Sequence, residues 1–383
     1  MWQLLREWPP GYGGVERVAH ELALAWQQQG QPSTIFSLVA NAVAPVEPDP
    51  LLVAYSRVSL PRLALGRLLI PLPSRALLRL LWASDPLHAH LPCPAVLALA
   101  LVARLLRPRR RISLHWHSFV EPASTPAGRF FGVYERLAEL VLPYFAQIVT
   151  TSPVLRQDLI GLGVSPAAVR VLPCCIPESL ERQAASISAA RLLSPPRARP
   201  ANASHLLSCF RLISIGRLDS YKRVDWLIEA LATLQNPQIR LDVVGDGPDR
   251  GALEHQATLQ VPGQVVFHGR LDEIAKQAVL ARADLLVLAA DRCNEAFGIV
   301  QLEAMACAVP AVALERPRSG MAWVGRTPAL PWNGQRASLP YLIARLVADP
   351  VLLALVRREA QQRYLGTFSR RVWLQQHQQV FAR

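Results

Sequence analysis

Two glutamates, Glu295 and Glu303, stand on either side of Gly298 in the part of this 383-residue chain that says most about its chemistry. An apolar run the size of a buried parallel strand precedes them, and good helix formers follow. The pattern predicts a helix whose first turn begins near Phe297 and Gly298. The unpaired amides of such a turn form an anion site, and glycine lets an anion approach the backbone closely.

The spacing of the second glutamate indicates what kind of anion this is. Glu303 lies five residues beyond Gly298, which is about 7–8 Å along a helix. That is close to the separation between a diphosphate and the sugar rings on either side of it. The two carboxylates therefore suit a sugar nucleotide, in which hydroxyl-rich groups flank a pyrophosphate. The alternative is that both glutamates are solvated surface residues of an ordinary α/β unit.

Positive charge for such a ligand is available at Arg217 and Lys222, which follow another predicted strand. Many enzymes that release a nucleotide diphosphate hold a metal with an Asp-x-Asp pair, and no such pair occurs in this chain. Fixed cations would therefore have to stabilise the departing charge. We expect neither a metal nor a cofactor. Taken alone, an arginine and a lysine at this spacing are usually surface residues.

Two further segments offer groups for a sugar or a phosphate. A glycine-rich turn after the first predicted strand includes Gly13 and Gly14, which leave the backbone free to approach a ligand. His117, in the run HWHS, follows another predicted strand and could bond sugar hydroxyls without titrating. His115 lies two residues earlier on that strand and is expected on the same face.

Taken together, these motifs resemble those of the retaining family 4 glycosyltransferases of GT-B fold. The resemblance rests on Glu-x7-Glu within EAFGIVQLEAMACAVPAV, on the GR-L-x3-K element at 216–222, on HWHS at 115–118 and on VVGDGP at 243–248. It covers nearly the whole chain. It implies metal-independent transfer of a hexose from GDP-mannose or a UDP-sugar to a lipid-linked or cell-surface glycan acceptor.

The resemblance also implies roles for individual residues. Arg217 and Lys222 would grip the donor diphosphate, Glu303 would hold the ribose, and Glu295 and His117 would position the hexose. The remaining donor contacts are expected at Gly13, Gly14, Gly216, Gly245, His268, Phe297, Gly298, Ile299 and Val300. The candidates on the acceptor side are His90 and His115.

In two places the sequence differs from the family's pattern. The glycine that usually follows the lysine is Arg223 here. The segment after 318–320, which resembles the turn that closes the donor site, is shorter than usual. Two other functions fit the same fold: a sugar-nucleotide 2-epimerase and an inactive sugar-nucleotide-binding partner. A dinucleotide oxidoreductase is disfavoured because the third glycine of 245–251 comes one place too late for GxGxxG.

Short strands alternate with helices in both halves of the sequence, which predicts an α/β fold with parallel sheets covered on both faces. We expect two Rossmann-like domains, 1–181 on the acceptor side and 206–350 for the sugar nucleotide, facing each other across a crevice. A Ser-, Pro-, Ala- and Arg-rich stretch predicts a linker at 182–205. The final helical segment, 351–383, is expected to pack back toward the first domain.

Charge and apolar runs predict the setting in which the protein works. The N-terminus lacks a signal-peptide pattern, and the longest apolar runs fall short of the ~20 residues that a spanning helix needs. We therefore expect a cytoplasmic protein, either soluble or peripheral on the inner face of the cytoplasmic membrane. The net charge is +13, and ten arginines with one acidic residue lie between Tyr55 and Arg111.

Within that window, 60–82 has the profile of a basic amphipathic segment that rests on anionic lipid, with a helix starting at Ser74. The alternative is a core-facing helix with solvated arginines. Nucleic acid is not an expected partner, because no DNA- or RNA-binding motif is present. The six cysteines show no CxxC spacing and are expected to be small core residues.

Overall fold

The computed structural model describes residues 1–6, 13–40, 55–65, 68–121, 126–193 and 209–382. They form two compact units. One unit is Met1–Cys174 together with the C-terminal residues from Leu374, and the other is Cys175–Trp373.

The first unit is built on an eight-stranded sheet with the order β4-β3-β2-β1-β5-β6-β7-β8, in which every pair is parallel except β3 with β4. Its strands are β1 (Trp2–Leu5), β2 (Thr34–Ala40), β3 (Ser56–Leu65), β4 (Leu68–Pro71), β5 (Leu87–Leu91), β6 (Ile112–Trp116), β7 (Gln147–Thr150) and β8 (Val169–Val171). Its helices are α1 (Gly14–Gln28), α2 (Arg75–Trp82), α3 (Pro94–Leu106), α4 (Pro126–Val141) and α5 (Pro153–Gly161).

The second unit has a five-stranded parallel sheet with the order β11-β10-β9-β12-β13. Its strands are β9 (Phe210–Ile215), β10 (Ile239–Val244), β11 (Val265–Gly269), β12 (Leu285–Leu288) and β13 (Ala311–Ala313). The α-helices of the second unit are α6 (Glu178–Leu193), α7 (Val224–Leu234), α8 (Arg250–Gln260), α9 (Glu273–Leu280), α10 (Val300–Ala306), α11 (Met321–Val324), α12 (Leu339–Ala348) and α13 (Pro350–Arg363). The last helix, α14 (Arg370–Phe381), begins in the second unit and belongs to the first unit from Leu374.

The predicted α/β class with two parallel-strand sheets is confirmed. The strands at the centre of each sheet are buried along their whole length, as β1, β5, β6 and β12 are. Strands covered on both faces usually read as continuous apolar runs, and β12 does, whereas β5 and β6 carry buried histidines. In each sheet the strand order reverses once, between β1 and β5 and between β9 and β12. Such switch points mark where open α/β sheets bind ligands, outside the carboxyl ends of the strands.

The predicted linker at 182–205 is wrong in its first half, because α6 continues through it to Leu193. Leu180, Ala184 and Ser188 repeat every four residues along α6 and are buried. The Ala- and Arg-rich composition that indicated a linker is equally good for a helix. Residues 194–208 lie outside the described residues. The two units divide at Cys174 rather than at residue 181.

The edge of the first sheet also differs from the prediction. The strand β3 begins at Ser56, and residues 51–54 lie outside the described residues. The chain then turns back through β4, so the basic segment 60–82 contains an edge hairpin as well as α2. The predicted helix start is confirmed, because Ser74 Oγ accepts the Leu77 N–H at 3.1 Å.

Among the described residues, no single helix has the length and apolar composition to cross a membrane. One pair bent by 106°, Arg336–Ala348 with Pro350–Phe381, meets that test by length and composition. The six cysteines form no disulfide and five are buried, as expected of core residues.

Candidate functional site

In the second unit, most of the predicted donor residues lie on the loops that follow β9 and β12. These two strands flank the switch point of their sheet. Arg217 and Lys222 follow β9, and Glu295 and Gly298 follow β12. The strand order therefore places both predicted motifs where an open α/β sheet binds its ligand.

The two loops are joined by an ion pair between Lys222 and Glu295. Both side chains are largely buried, with 15% and 17% of their surface exposed. Burial lowers the pKa of Lys222, but the charge and hydrogen bond of Glu295, together with Tyr221 and Asp219, more than offset it, so that the pKa lies above its ordinary value. Lys222 is therefore a fixed cation at neutral pH. An ammonium group has three N–H donors, so it can bond a phosphate oxygen while it keeps Glu295.

Arg217 has a different environment from Lys222. Its side chain is 69% exposed, and its nearest carboxylate is that of Asp219, 3.9 Å away. A guanidinium with this freedom can turn toward a phosphate and bind two of its oxygens at once. Lys222 is thus a rigid cation and Arg217 an adjustable one.

Glycines hold the loop of Arg217 against its neighbour after β10. A Cβ at Gly245 would overlap the carbonyl of Gly216, and a Cβ at Gly247 would overlap the carbonyl of Leu218. The backbones are joined by bonds from Leu218 N–H to Asp246 O (3.0 Å) and from Gly216 N–H to Val244 O (2.9 Å). Both glycines of the VVGDGP motif are thus required by packing between loops, whatever else they contact.

The loop after β12 enters its helix later than predicted. The helix α10 starts at Val300 and has seven residues, rather than beginning near Phe297. Gly298 has φ +73°, and a Cβ there would overlap Leu288, so this position requires glycine. Phe297 is buried against Phe368, with ring centroids 6.0 Å apart, so it offers a ligand its backbone but not its ring. Ile299 and Val300 are half-buried.

Glu303 is buried inside the second unit, with 1% of its side chain exposed. Lys276 Nζ lies 2.8 Å from its carboxylate and also 2.8 Å from Glu273. Lys276 is one of only two lysines in the chain, and sequence analysis missed it. Its place at i+3 from Glu273 on a predicted helix was the available signal.

A second loop supports the backbone of Glu295. Ser319 Oγ donates to Glu295 O at 2.6 Å, and Gly320 N–H donates to Ala296 O at 2.8 Å. The turn at 318–320, which the sequence likened to one that closes a donor site, therefore lies directly against the first glutamate. Arg318 in this turn has φ +56°.

Arg223 shows why its position usually carries glycine. Its backbone is left-handed, with φ 51° and ψ 42°, a conformation that L-residues other than glycine adopt at a cost of about 1–2 kcal/mol. The side chain compensates by pairing with Asp225 at 2.6 Å and Asp291 at 3.5 Å and by stacking 4.2 Å from the centroid of the Trp226 ring.

His268 directs its side chain into the sheet. Its Nε2 lies 2.7 Å from Asp242 Oδ1 on the neighbouring strand β10, and Asp242 also pairs with Arg211 at 3.3 Å. What His268 can offer a nucleobase is therefore its main chain.

In the first unit, the described part of the glycine-rich turn begins at Gly13, which precedes α1 as its N-cap, and Gly14 is the first residue of α1. Both glycines are exposed. A Cβ at Gly13 would meet only the flexible end of Glu16. Residues 7–12 of the turn lie outside the described residues.

Four histidines form a cluster at the switch point of the first sheet. His88 and His90 lie on β5, and His115 and His117 lie on β6 or directly after it. His115 and His117 stack in parallel, with ring centroids 4.0 Å apart, which confirms that they share a face. His90 Nδ1 lies 2.9 Å from His117 Nε2, and His88 Nε2 lies 3.1 Å from His115 Nδ1.

The cluster is neutral. Burial, reinforced by repulsion from the neighbouring histidines, lowers the pKa of His88, His90 and His115 well below the ordinary value. The same causes lower the pKa of His117 to about 3. His117 keeps 8% of its surface exposed, against 0–2% for the others. His90 and His115, predicted on the acceptor side, lie in the interior, and among the four His117 is the histidine with surface left to meet a ligand.

His90, His115 and His117 have ring nitrogens within 4.8 Å of one another, which is close enough to consider a metal site. The ring planes argue against it as the rings now stand. His90 and His117 meet nearly in one plane, whereas His115 is stacked over His117. Imidazole binds a metal in its own ring plane, so one ion cannot lie in the planes of all three rings unless His115 rotates.

Two family models match the sequence. Glycosyltransferase Family 4 matches residues 12–180, and Glycosyl transferases group 1 matches residues 209–320. Together they span well over half of the chain. The chain belongs to these GT-B glycosyltransferases.

Two proteins of similar sequence illustrate the family's range. The glycosyltransferase is 37% identical to N-acetyl-alpha-D-glucosaminyl L-malate synthase of Bacillus anthracis over 103 residues, 26% of this chain and 26% of the relative. It is 32% identical to D-inositol 3-phosphate glycosyltransferase of Kineococcus radiotolerans over 209 residues, 50% of this chain and 43% of the relative. The matches thus span from a quarter to less than half of the length of these relatives.

The fold has solved counterparts. The structure of Anabaena HepE in complex with UDP and glucose aligns with a TM-score of 0.69, covering 99% of this chain and 97% of HepE at 17% identity. At this identity the likeness shows the fold. It confirms the GT-B architecture that the motifs predicted.

Proposed function

We propose that this protein transfers a hexose from a nucleotide-diphosphate sugar to a lipid-linked or cell-surface glycan, with retention of configuration and without a metal. The observation that carries the proposal is the Lys222–Glu295 pair, which joins the two loops that flank the switch point of the second sheet. It supplies a fixed cation for a diphosphate beside a carboxylate for sugar hydroxyls, in a chain of glycosyltransferase family.

The leaving group is the nucleotide diphosphate. As the bond between the anomeric carbon and the phosphate oxygen breaks, negative charge grows on that oxygen. Lys222 and Arg217 would stabilise it, since a preorganised cation acts strongly where water is excluded. In this scheme the acceptor oxygen attacks from the same face and the leaving phosphate takes its proton. The new glycosidic bond then keeps the configuration of the donor.

The two glutamates divide the rest of the donor. Glu303 would accept hydrogen bonds from the ribose, and the ammonium group of Lys276 lies 2.8 Å from its carboxylate. Glu295 would accept from hexose hydroxyls, with its backbone braced by Ser319 and Gly320. His117 would accept a hydrogen bond from a sugar hydroxyl while remaining neutral.

Calorimetry with UDP and GDP tests this division. Glu303→Gln should weaken binding of the preferred nucleotide diphosphate about 5- to 100-fold, because a charged acceptor for the ribose is lost. Glu295→Gln should leave that affinity unchanged and lower kcat for the complete donor. Equal losses of nucleotide affinity in the two variants would contradict the assigned roles.

Product analysis separates the proposal from its two alternatives. A panel of UDP- and GDP-sugars is incubated with glycan and lipid-linked acceptors. Transfer supports the proposal, whereas conversion of the donor to its 2-epimer without transfer, or binding without turnover, would replace it. HepE was crystallised with UDP and glucose, so UDP-glucose is a reasonable first donor.

We also propose that the basic segment 60–82 holds the enzyme on an anionic membrane surface. On α2, Leu78 and Trp82 are 58% and 53% exposed, and Arg75 is exposed as well. Arg107, after α3, donates to Trp82 O at 2.9 Å and lies 5.7 Å from the centroid of the Trp82 ring. Exposed apolar side chains among arginines suit the interface of a bilayer with anionic head groups.

Vesicle co-sedimentation tests the membrane proposal. The protein should bind anionic vesicles, bind neutral ones poorly, and lose binding as salt shortens the Debye length. Arg75→Glu should weaken binding to anionic vesicles about 5-fold or more, on the basis of about 1 kcal/mol per basic residue. Arg358→Glu, the same charge change on α13, is the matched control. Equal effects of the two changes, or binding that ignores lipid charge, would overturn the proposal. Arg79 is a poorer choice because it also stacks on Trp2, 5.2 Å from the ring centroid.

A further inference from the structure

A chain of buried hydrogen bonds leads from the backbone of α1 to His117. Gln3 on β1, with none of its surface exposed, donates from Nε2 to Ala19 O at 2.9 Å. Gln3 Oε1 lies 2.8 Å from His90 Nε2, and His90 Nδ1 lies 2.9 Å from His117 Nε2. Each link joins two groups that can exchange donor and acceptor roles, apart from the first.

The first link fixes the direction of all the others. A backbone carbonyl only accepts, so the Gln3 group facing Ala19 must be its NH2. The opposite amide orientation would place two acceptor oxygens against each other. Gln3 Oε1 therefore accepts, and His90 Nε2 must carry a proton. A neutral His90 then has its lone pair on Nδ1, so that His117 must donate from Nε2.

We propose that Gln3 is a positioning residue that sets the tautomer of His117, so that Nε2 carries the proton and Nδ1 presents a lone pair to a sugar hydroxyl. The inference rests on the proposed function for its effect on catalysis. The tautomer itself follows from the hydrogen bonds alone. In this arrangement His117 accepts a hydrogen bond at Nδ1, and Gln3 sets its tautomer through His90.

The second histidine pair has no such anchor. His88 Nδ1 lies 2.8 Å from Ser113 Oγ, and a hydroxyl can donate or accept equally well. His115 Nε2, at the other end, has no hydrogen-bond partner in the described part of the chain. This pair is therefore undirected, which makes Ser113 a matched control for Gln3: it is also buried, polar and bonded to a histidine.

Loss of Gln3 should reverse the direction of the hydrogen bond between His90 and His117. In Gln3→Met, which keeps the length of the side chain, a proton on His90 Nε2 would be a buried donor without a partner, which is unfavourable. Moving that proton to Nδ1 lets His90 donate to His117 Nε2. The proton of His117 must then shift to Nδ1, and the lone pair that faced the sugar is lost.

The experiment combines ¹⁵N NMR of labelled histidines with kinetics. The chemical shifts of the two ring nitrogens report which one is protonated. In the unaltered protein we expect His117 protonated at Nε2, and in Gln3→Met at Nδ1. Ser113→Ala should leave the His117 tautomer unchanged. A proton on His117 Nδ1 in the unaltered protein would overturn the proposal without need of any variant.

The kinetic arm separates this proposal from the proposed function. With the donor that the panel identifies, Gln3→Met should lower kcat roughly 10- to 100-fold, the scale seen when the partner that orients a metal-binding histidine is lost, with nucleotide diphosphate affinity unchanged. Ser113→Ala should lose much less. If the unaltered protein transfers no sugar, the proposed function fails while the NMR result still decides the tautomer. If it does transfer and Gln3→Met matches Ser113→Ala, the positioning role is wrong.

Discussion

The sheet of each unit has one switch point, but the groups gathered there are neutral in the first unit and charged in the second. The first unit gathers four buried histidines that are neutral because burial lowers their pKa values. The second gathers charged pairs, Lys222 with Glu295 and Lys276 with Glu303. The difference is one of partners: each lysine has a carboxylate within reach, whereas the histidines have mainly one another, with Gln3 and Ser113.

Under the proposed function, the two switch points serve different purposes. Where a diphosphate must be bound, charges need partners that keep them ionised while they wait for the ligand. Where hydroxyl groups must be oriented, a neutral network gives direction without competing for the diphosphate. The following predictions would break or sharpen this contrast, beginning with the largest effect.

Removing the buried cation Lys222 from the second unit should have the largest effect. Lys222→Ala should lower kcat/KM by about 2–4 kcal/mol of transition-state stabilisation, the scale of a preorganised electrostatic group. Steady-state kinetics with the identified donor measures the effect. Arg282→Ala, which removes an exposed cation of the same unit, is the control and should change little. A loss smaller than tenfold for Lys222→Ala would deny it the assigned role.

The same assay tests the proposal that transfer needs no metal. Activity should survive EDTA unchanged, because in the proposed function Lys222 and Arg217 would take the place of a divalent ion. Activity that EDTA abolishes and Mg²⁺ or Mn²⁺ restores would contradict the proposal.

The next largest effect concerns acid, which should destabilise the folded protein through the neutral histidine cluster. The unfolded chain binds protons near pH 6.5, whereas the folded cluster does not until much lower pH, about 3 for His117. The free energy of unfolding should therefore fall as the pH drops below about 6.5. Each buried histidine contributes at most about 1.4 kcal/mol per pH unit. Urea unfolding at pH 7.5, 6.5 and 5.5 measures this slope.

Variants assign the slope to the cluster. His115→Phe should reduce the slope of the unfolding free energy with pH by up to the contribution of one buried histidine. His255 is exposed, and His255→Asn should leave the slope unchanged. An unaltered slope in His115→Phe would mean that the acid sensitivity arises elsewhere.

Arg223 should give the smallest effect. Arg223→Gly relieves the left-handed backbone while it loses the ion pairs, whereas Arg223→Ala loses the pairs and keeps the strain. The glycine variant should therefore be the more stable of the two by about 1 kcal/mol. Thermal or urea unfolding compares them. An alanine variant as stable as the glycine variant would show that the backbone relaxes.

The sequence predicted what depends on local pattern. The central strands, the loops that carry Arg217 and Glu295, and the helix start at Ser74 follow from apolar runs, glycines and a capping side chain, and the structure has them close to the predicted places. The class of fold and the family followed from motifs whose spacing is set by those same elements.

The rest depends on contacts between distant segments, which no local pattern displays. The Gln3–His90 link joins residues 87 positions apart, and Lys222 meets Glu295 across 73. The predicted linker was wrong up to Leu193 because a helix of small residues and a linker share a composition. The buried state of His90 and His115 likewise depends on the cover that other segments provide.

The histidine cluster also constrains how the first sheet can assemble. Both histidines of β5 lie on the face that carries His115 of β6 and His117 directly after it, and His90 is aligned with His115 across the strands. A slip of one residue would turn one pair toward the opposite face and separate every ring contact at once. Because buried polar groups tolerate few alternative partners, the cluster should select a single alignment of β5 with β6 among those that apolar residues alone would accept. The rings to which we assign a role in orienting a ligand would thus also favour one register of the sheet during folding.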